Sequence, residues 1–168
     1  NIIKAFALIT DKYSSLKLYL YGCPKSSTII LLNNLIASLK LQKKVFLMGR
    51  VNSNLVPQIL KQAYILVSSQ PNTIRASGGF PTKLGEYLAS GVPSLLTDVG
   101  ENARYVKDGT HIFLSKPEDP TKYADKLKFI INNYEHSLKV AEHGKQYLFM
   151  NYSHIQKGLE LSEFIYTV

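Results

Sequence analysis

The sequence predicts an α/β fold, in which helices cover both faces of a mainly parallel sheet and so build three layers. Three observations predict it. Segments with helical spacing of apolar residues alternate with short apolar runs of strand type. Two of those runs, at Leu18–Tyr21 and Val45–Met48, stop at a glycine. The composition is that of an ordinary globular chain, with 45% hydrophobic and 19% charged residues.

The elements follow in order. Ile2, Ile3, Phe6 and Ile9 recur at helical spacing, so the chain opens in a helix. Residues 16–21 alternate and end at Gly22, which reads as a strand. Ser26 or Ser27 is placed to cap a helix reaching about Leu39. Val45-Phe46-Leu47-Met48 is a short buried strand ended by Gly49. Asn52 or Ser53 starts a helix to about Ala63, and residues 64–68 form the next strand. Residues 69–80, rich in Ser, Gln, Pro, Asn and Gly, read as a loop. A helix is expected over residues 81–90, closed by Gly91. Residues 92–96 read as a strand that tolerates Pro93 near its start. A short helix covers about 101–106, and Asp108-Gly109 turns into a strand at 111–114. Three helices follow, at about 119–133, 135–150 and 154–165.

The 168 residues suit one domain with a real core, or slightly more than one. One cysteine, Cys23, excludes an internal disulfide and any multi-cysteine metal site. No apolar run approaches the roughly 18 residues of a membrane span. Lys4 interrupts the opening amphipathic stretch, so no signal peptide is expected there. The first residue is Asn1 and not methionine, which suggests a piece of a longer polypeptide.

The charge balance is 20 Lys+Arg against 12 Asp+Glu, a net +8. That invites a nucleic-acid reading. The lysines are dispersed, however, at Lys40, Lys43, Lys44, Lys116, Lys122, Lys126, Lys128, Lys139 and Lys145. Only Arg50, Arg75 and Arg104 are arginines, whereas a base-reading surface generally carries more. A solvated basic face, or attraction to phosphate-bearing partners, fits better.

In parallel sheets of this kind, ligands bind outside the carboxyl ends of the strands. That directs attention to Gly22, Gly49–Val51, Ser68–Phe80 and Thr97–Glu101. The informative stretch is Gly78-Gly79-Phe80-Pro81-Thr82-Lys83-Leu84-Gly85-Glu86-Tyr87-Leu88-Ala89-Ser90-Gly91-Val92-Pro93. Its Gly-Gly pair lets backbone approach a ligand closely. Pro81 suits the first helical position, and the free N–H groups of that turn make an anion site. Lys83 stands in the same turn, where a cation opposes the helix dipole until an anion binds. Glu86 lies three residues on, near the same face, and an ordinary surface ion pair with Lys83 is the competing reading. Leu84 and Leu88 share a different, apolar face. Tyr87 reads as core. His111, His136, His143 and His154 are scattered without metal-ligand spacing, and neither they nor Cys23 suggest a nucleophilic pair.

Gly-Phe-Pro-Thr-Lys-Leu-Gly-Glu-Tyr-Leu-Ala-Ser-Gly-Val-Pro at 79–93 resembles the donor-binding motif of retaining glycosyltransferases of the GT-B fold, the group 1 family. The opening helix, Leu18–Gly22, Val45-Phe-Leu-Met-Gly-Arg-Val51, Ala63–Ser69, Thr97–Glu101 and Val106–Gly109 match the family in the same order. The resemblance implies a Rossmann-like domain over residues 1–168, the C-terminal half of a GT-B enzyme, with the first strand missing. That strand would be central, and its absence would leave its neighbours unpaired on one side.

The resemblance also implies roles. Glu86 would hold the ribose hydroxyls of a nucleotide-sugar donor. Gly79, Phe80, Pro81 and Thr82 would lie against the diphosphate and sugar, with Lys83 close by. Arg50 and Val51 would flank the base, and Gly22 would keep space for phosphates. For Gly22 a plain strand-ending turn, and for Arg50 a solvent-facing side chain, are the competing readings. Many relatives carry a first glutamate eight residues before the second. Here that position is Gly78, so its contact to the transferred sugar is unfilled or moved. The family's diphosphate-neutralising Arg and Lys precede the first helix and are absent.

The implied activity is sugar transfer, with retention, from a nucleotide-diphosphate donor to a glycan or lipid-linked acceptor, as in polysaccharide biosynthesis. No metal or other cofactor is implied. The implied partners are the donor, an N-terminal domain, the acceptor, and no nucleic acid. The implied setting is cytoplasmic, possibly peripheral to the inner membrane face. The competing readings are a non-catalytic nucleotide- or phosphate-binding module, a basic nucleic-acid or membrane-surface protein, and a nucleotide-sugar epimerase.

Overall fold

The computed structural model describes residues 1–78 and 82–167, and the backbone alone at 75 and 77. Helix α1 spans Ile2–Ala7 and β1 spans Leu18–Tyr21. Then come α2 (Ser26–Ser38) and β2 (Val45–Gly49). A 3₁₀ turn at Ser53–Leu55 leads into α3 (Val56–Gln62), and β3 is Leu66–Ser68. The short α4 covers Ile74–Ser77, and α5 covers Thr82–Ser90. Strand β4 (Ser94–Thr97), α6 (Asn102–Tyr105) and β5 (Phe113–Ser115) follow. The chain ends in α7 (Pro120–Asn132), α8 (Tyr134–Tyr152) and α9 (His154–Thr167).

The three-layer reading holds. Every strand pairing is parallel. Consecutive residues of β4 point to opposite faces, and they enter different apolar clusters. Leu95 joins Phe113, Tyr123, Leu127 and the α1 residues Ile3 and Phe6. Leu96 joins Leu114, Ile112, Val106 and the α5 residues Leu84 and Leu88. All four β4 positions are buried, as expected of a strand covered on both faces.

The sheet is divided. β1 pairs β2, and β3–β4–β5 form a second sheet. Leu18 N–H donates to the Lys44 carbonyl and Leu66 N–H to the Pro93 carbonyl. Alternate residues of a parallel strand direct their main-chain groups to opposite sides. Those of Tyr19 and Tyr21 on β1, and of Val67 on β3, therefore turn away from their paired strands. A groove of about 610 Å³ lies there, lined by residues of both edges. Among the described residues, no strand pairs with either of these two edges, which agrees with the expectation of strands left unpaired on one side.

Three local expectations need correction. Residue 25, not Ser26 or Ser27, precedes α2, and no side chain caps it. The segment read as an uninterrupted loop holds α4, whose start is fixed by Thr73 Oγ1 accepting the Ala76 N–H at 3.3 Å. The strand expected at 111–114 begins two residues later, because residues 107–112 form a turn in which Gly109 N–H donates to the Ile112 carbonyl. Gly91 closes α5 with φ of 69°, a backbone that favours glycine.

Candidate functional site

The carboxyl ends of the parallel strands gather the segments singled out in the sequence. β3 runs into Ser69 and Gln70, β4 into Asp98, and β1 and β2 into Gly22 and Arg50. Two buried polar side chains shape this edge. Thr97 and Asn102 are 1% and 4% exposed. Thr97 Oγ1 donates to the Gln70 carbonyl at 2.9 Å and accepts the Gln70 N–H at 2.9 Å. Asn102 Nδ2 donates to the Thr97 carbonyl at 2.9 Å. The loop leaving β3 is thereby tied to the end of β4, which no spacing rule announces.

Helix α5 lies across this edge with two distinct faces. Leu84 and Leu88 are buried against β4 and β5. Lys83 and Glu86 are exposed and line the groove together with Tyr87, Tyr21 and the Val67–Gln70 segment. Thr82 and Lys83 also border a smaller recess of about 40 Å³ with Gln70, Thr97 and Asn102. The first N–H groups of a helix lack intrahelical partners and can serve an anion; residues 79–81, just before α5 begins at Thr82, lie outside the described ones.

The surface ion pair weighed for Lys83 and Glu86 is absent among the described residues, although other helical pairs three apart do form, such as Arg104–Glu101 and Lys157–Glu160. Both side chains of α5 are left to face the groove. Gly79, Phe80 and Pro81 lie outside the described residues. Gly22, Arg50 and Val51 are not brought to the groove wall with Glu86. They end β1 and β2 side by side, where Gly22 N–H donates to the Gly49 carbonyl at 2.9 Å. Arg50 is exposed and Val51 half-buried, and a Cβ at Gly22 would meet no atom within 4 Å.

Tyr87 is the residue the sequence undervalued. Its half-buried ring packs against the Leu84–Leu88–Leu96 cluster, as expected of a core position, and its hydroxyl donates to the Val67 carbonyl at 3.1 Å on the groove side. Burial, then the Glu86 charge, push its pKa up to about 12. The hydroxyl therefore stays a protonated donor across the physiological range. Among the described residues, no three His, Cys, Asp or Glu side chains gather as a metal-binding group. Several lysines are neutralised locally, as in Lys126–Asp108 and Lys128–Asp125.

Parallel strands joined through helical crossovers define the Rossmann-like class of α/β fold. Residues 1–147 match the family described as glycosyl transferases group 1, and the chain belongs to that family. No curated protein matches the sequence significantly. Among solved structures, Anabaena Alr3699/HepE in complex with UDP-glucose superimposes with a TM-score of 0.83 at 18% identity, covering 99% of this chain and 44% of that one. The C-terminal domain of a group 1 glycosyl transferase (LpcC) from Francisella tularensis gives 0.79 at 21% identity, covering 90% of this chain and 77% of that one. A glycosyltransferase from Rickettsia africae gives 0.81 at 18% identity, covering 98% and 43%. These likenesses establish the GT-B C-terminal architecture. The chain spans under half the length of the Anabaena and Rickettsia proteins.

Proposed function

We propose that this chain is the donor-binding C-terminal half of a retaining glycosyltransferase and that it holds a nucleotide-diphosphate sugar at the α5 end of the groove. The observation that carries the reading is the pair Lys83 and Glu86, exposed on one helix, without an ion pair between them, beside the carboxyl end of β3. The Glu86 carboxylate accepts hydrogen bonds from the ribose hydroxyls. The first turn of α5 and Lys83 face the diphosphate. Charge grows on that diphosphate as the sugar–oxygen bond breaks, and donors fixed in place stabilise it without reorganising. Gly22, Arg50 and Val51, at the ends of β1 and β2 beyond the groove wall, would flank the base from the β1–β2 side. By the family resemblance, Gly79, Phe80, Pro81 and Thr82 are the residues that would lie against the diphosphate and sugar. No metal or other cofactor is required.

The Anabaena protein was solved with UDP and with UDP-glucose, which favours a uridine base here. The acceptor, a glycan or lipid-linked sugar, would be held by the other half of the enzyme, in keeping with the 44% coverage of that relative. The reading places the enzyme in the cytoplasm, in polysaccharide assembly, with the membrane surface as a peripheral partner.

Calorimetric titration of UDP and GDP into the wild-type chain and Glu86→Ala tests it. The expected result is UDP binding that Glu86→Ala weakens by about 1–3 kcal/mol, the range for hydrogen bonds to a charged group. Equal affinity of the two proteins for UDP would sink the role of Glu86.

A further inference from the structure

We propose that Tyr87 is a positioning residue for Glu86, its hydroxyl fixing the seat of α5 against β3 so that the neighbouring carboxylate faces the groove end. The inference rests on the nucleotide-binding reading above. The back of α5 is held by Leu84 and Leu88, each about 95% buried. Apolar contact of that kind is non-directional and tolerates small slides and rolls of a helix. A directional tie is needed on the front. Among the described hydrogen bonds, Tyr87 Oη to the Val67 carbonyl is the one that joins an α5 side chain to a strand.

The acceptor is well chosen for this purpose. Leu66 and Ser68 use their main-chain groups toward β4, so the Val67 carbonyl points to the groove edge. The next carbonyl, that of Ser68, accepts from Tyr123 Oη on α7 at 3.2 Å, and the same hydroxyl also donates to the Leu95 carbonyl at 2.8 Å. The end of β3 is thus held by two tyrosine hydroxyls, and only the Tyr87 tie leads directly to the helix that carries Glu86. A displacement of α5 by a fraction of a hydrogen-bond length would move the carboxylate out of reach of a ribose. Tyr87 acts on the ligand through its neighbour and need not touch it.

A double-mutant cycle on UDP affinity tests this, using wild type, Tyr87→Phe, Glu86→Gln and the double variant, with Tyr123→Phe as the control that loosens β3 from α7. Phenylalanine keeps the ring and removes the tie alone. Tyr87→Phe is expected to weaken UDP binding about three- to tenfold when Glu86 is present. In the Glu86→Gln background the same change should cost less than about twofold, the signature of coupled residues. Tyr123→Phe should lower the melting temperature with no such dependence on Glu86. Equal losses from Tyr87→Phe in both backgrounds, no loss in either, or the same Glu86 dependence for Tyr123→Phe would overturn the positioning role alone. A Glu86→Gln protein that binds UDP as tightly as wild type would overturn the role of Glu86 and this positioning role with it, whereas a wild-type chain that binds no UDP would overturn the nucleotide-binding reading itself.

Discussion

Lys83 and Glu86 sit one helical turn apart with opposite charge, and they do not pair. Their shared exposed face was legible because the residue types and their spacing are local. Tyr87 was not legible, because its partner is a carbonyl 20 residues away whose freedom depends on strand register. The Thr97–Gln70 clasp, 27 residues apart in sequence, was hidden for the same reason. His111 is a further case. Its ring stacks on Tyr147 at 4.0 Å between centroids and meets His143 edge-on at 5.2 Å. Its Nδ1 accepts the Lys107 N–H at 3.2 Å. Burial, then the charges of His143 and Lys107, hold its pKa below the usual histidine value. The unfolded chain therefore takes up a proton first as pH falls. The stability owed to neutral His111 is complete above the unfolded pKa of about 6.5 and is lost as pH drops through the window below it. The melting temperature should fall between about pH 7 and pH 5, and His111→Gln should flatten that fall. An unchanged slope in the variant would contradict the assignment.

Helix existence was largely readable from apolar spacing, whereas boundaries and short elements were not. The α4 turn is hard to read because its Ser-, Pro- and Asn-rich surroundings resemble a loop, and its cap, Thr73, is a side chain accepting the Ala76 N–H. The packing of α8 on α5 was also invisible. It depends on Gly144, where a Cβ would overlap the His111 carbonyl and crowd a Leu88 methyl. Alanine is normally favoured over glycine inside a helix by about 1 kcal/mol. Overpacking a tight contact costs about 1–3 kcal/mol, so the clash should win. Gly144→Ala is expected to lower the melting temperature by several degrees, measured by circular dichroism. A rise would contradict the tight fit of α8 at Gly144 against the His111 carbonyl and Leu88. Because α8 backs the helix that carries Glu86, the element matters to the site as well as to stability.

At the scale of the molecule, the β/α rhythm announced the layers and the parallel sheet, and both are present. The division of the sheet was foreseeable only through the family resemblance, since no strand records which neighbour it pairs with. Helix α9 buries none of its own residues, and its Phe164, Ile165 and Tyr166 leave apolar surface exposed at the periphery. The candidate site lies where the two sheets face each other, so its full shape is a property of the whole fold and not of the motif. The central claim, that this face holds a nucleoside diphosphate, is most directly tested by following amide shifts of the ¹⁵N-labelled chain during a UDP titration. The account predicts that the saturable shifts centre on Ser68–Gln70 and on Lys83, Glu86 and Tyr87. Shifts confined to the exposed lysines of α7 and α8, or none at all, would contradict it.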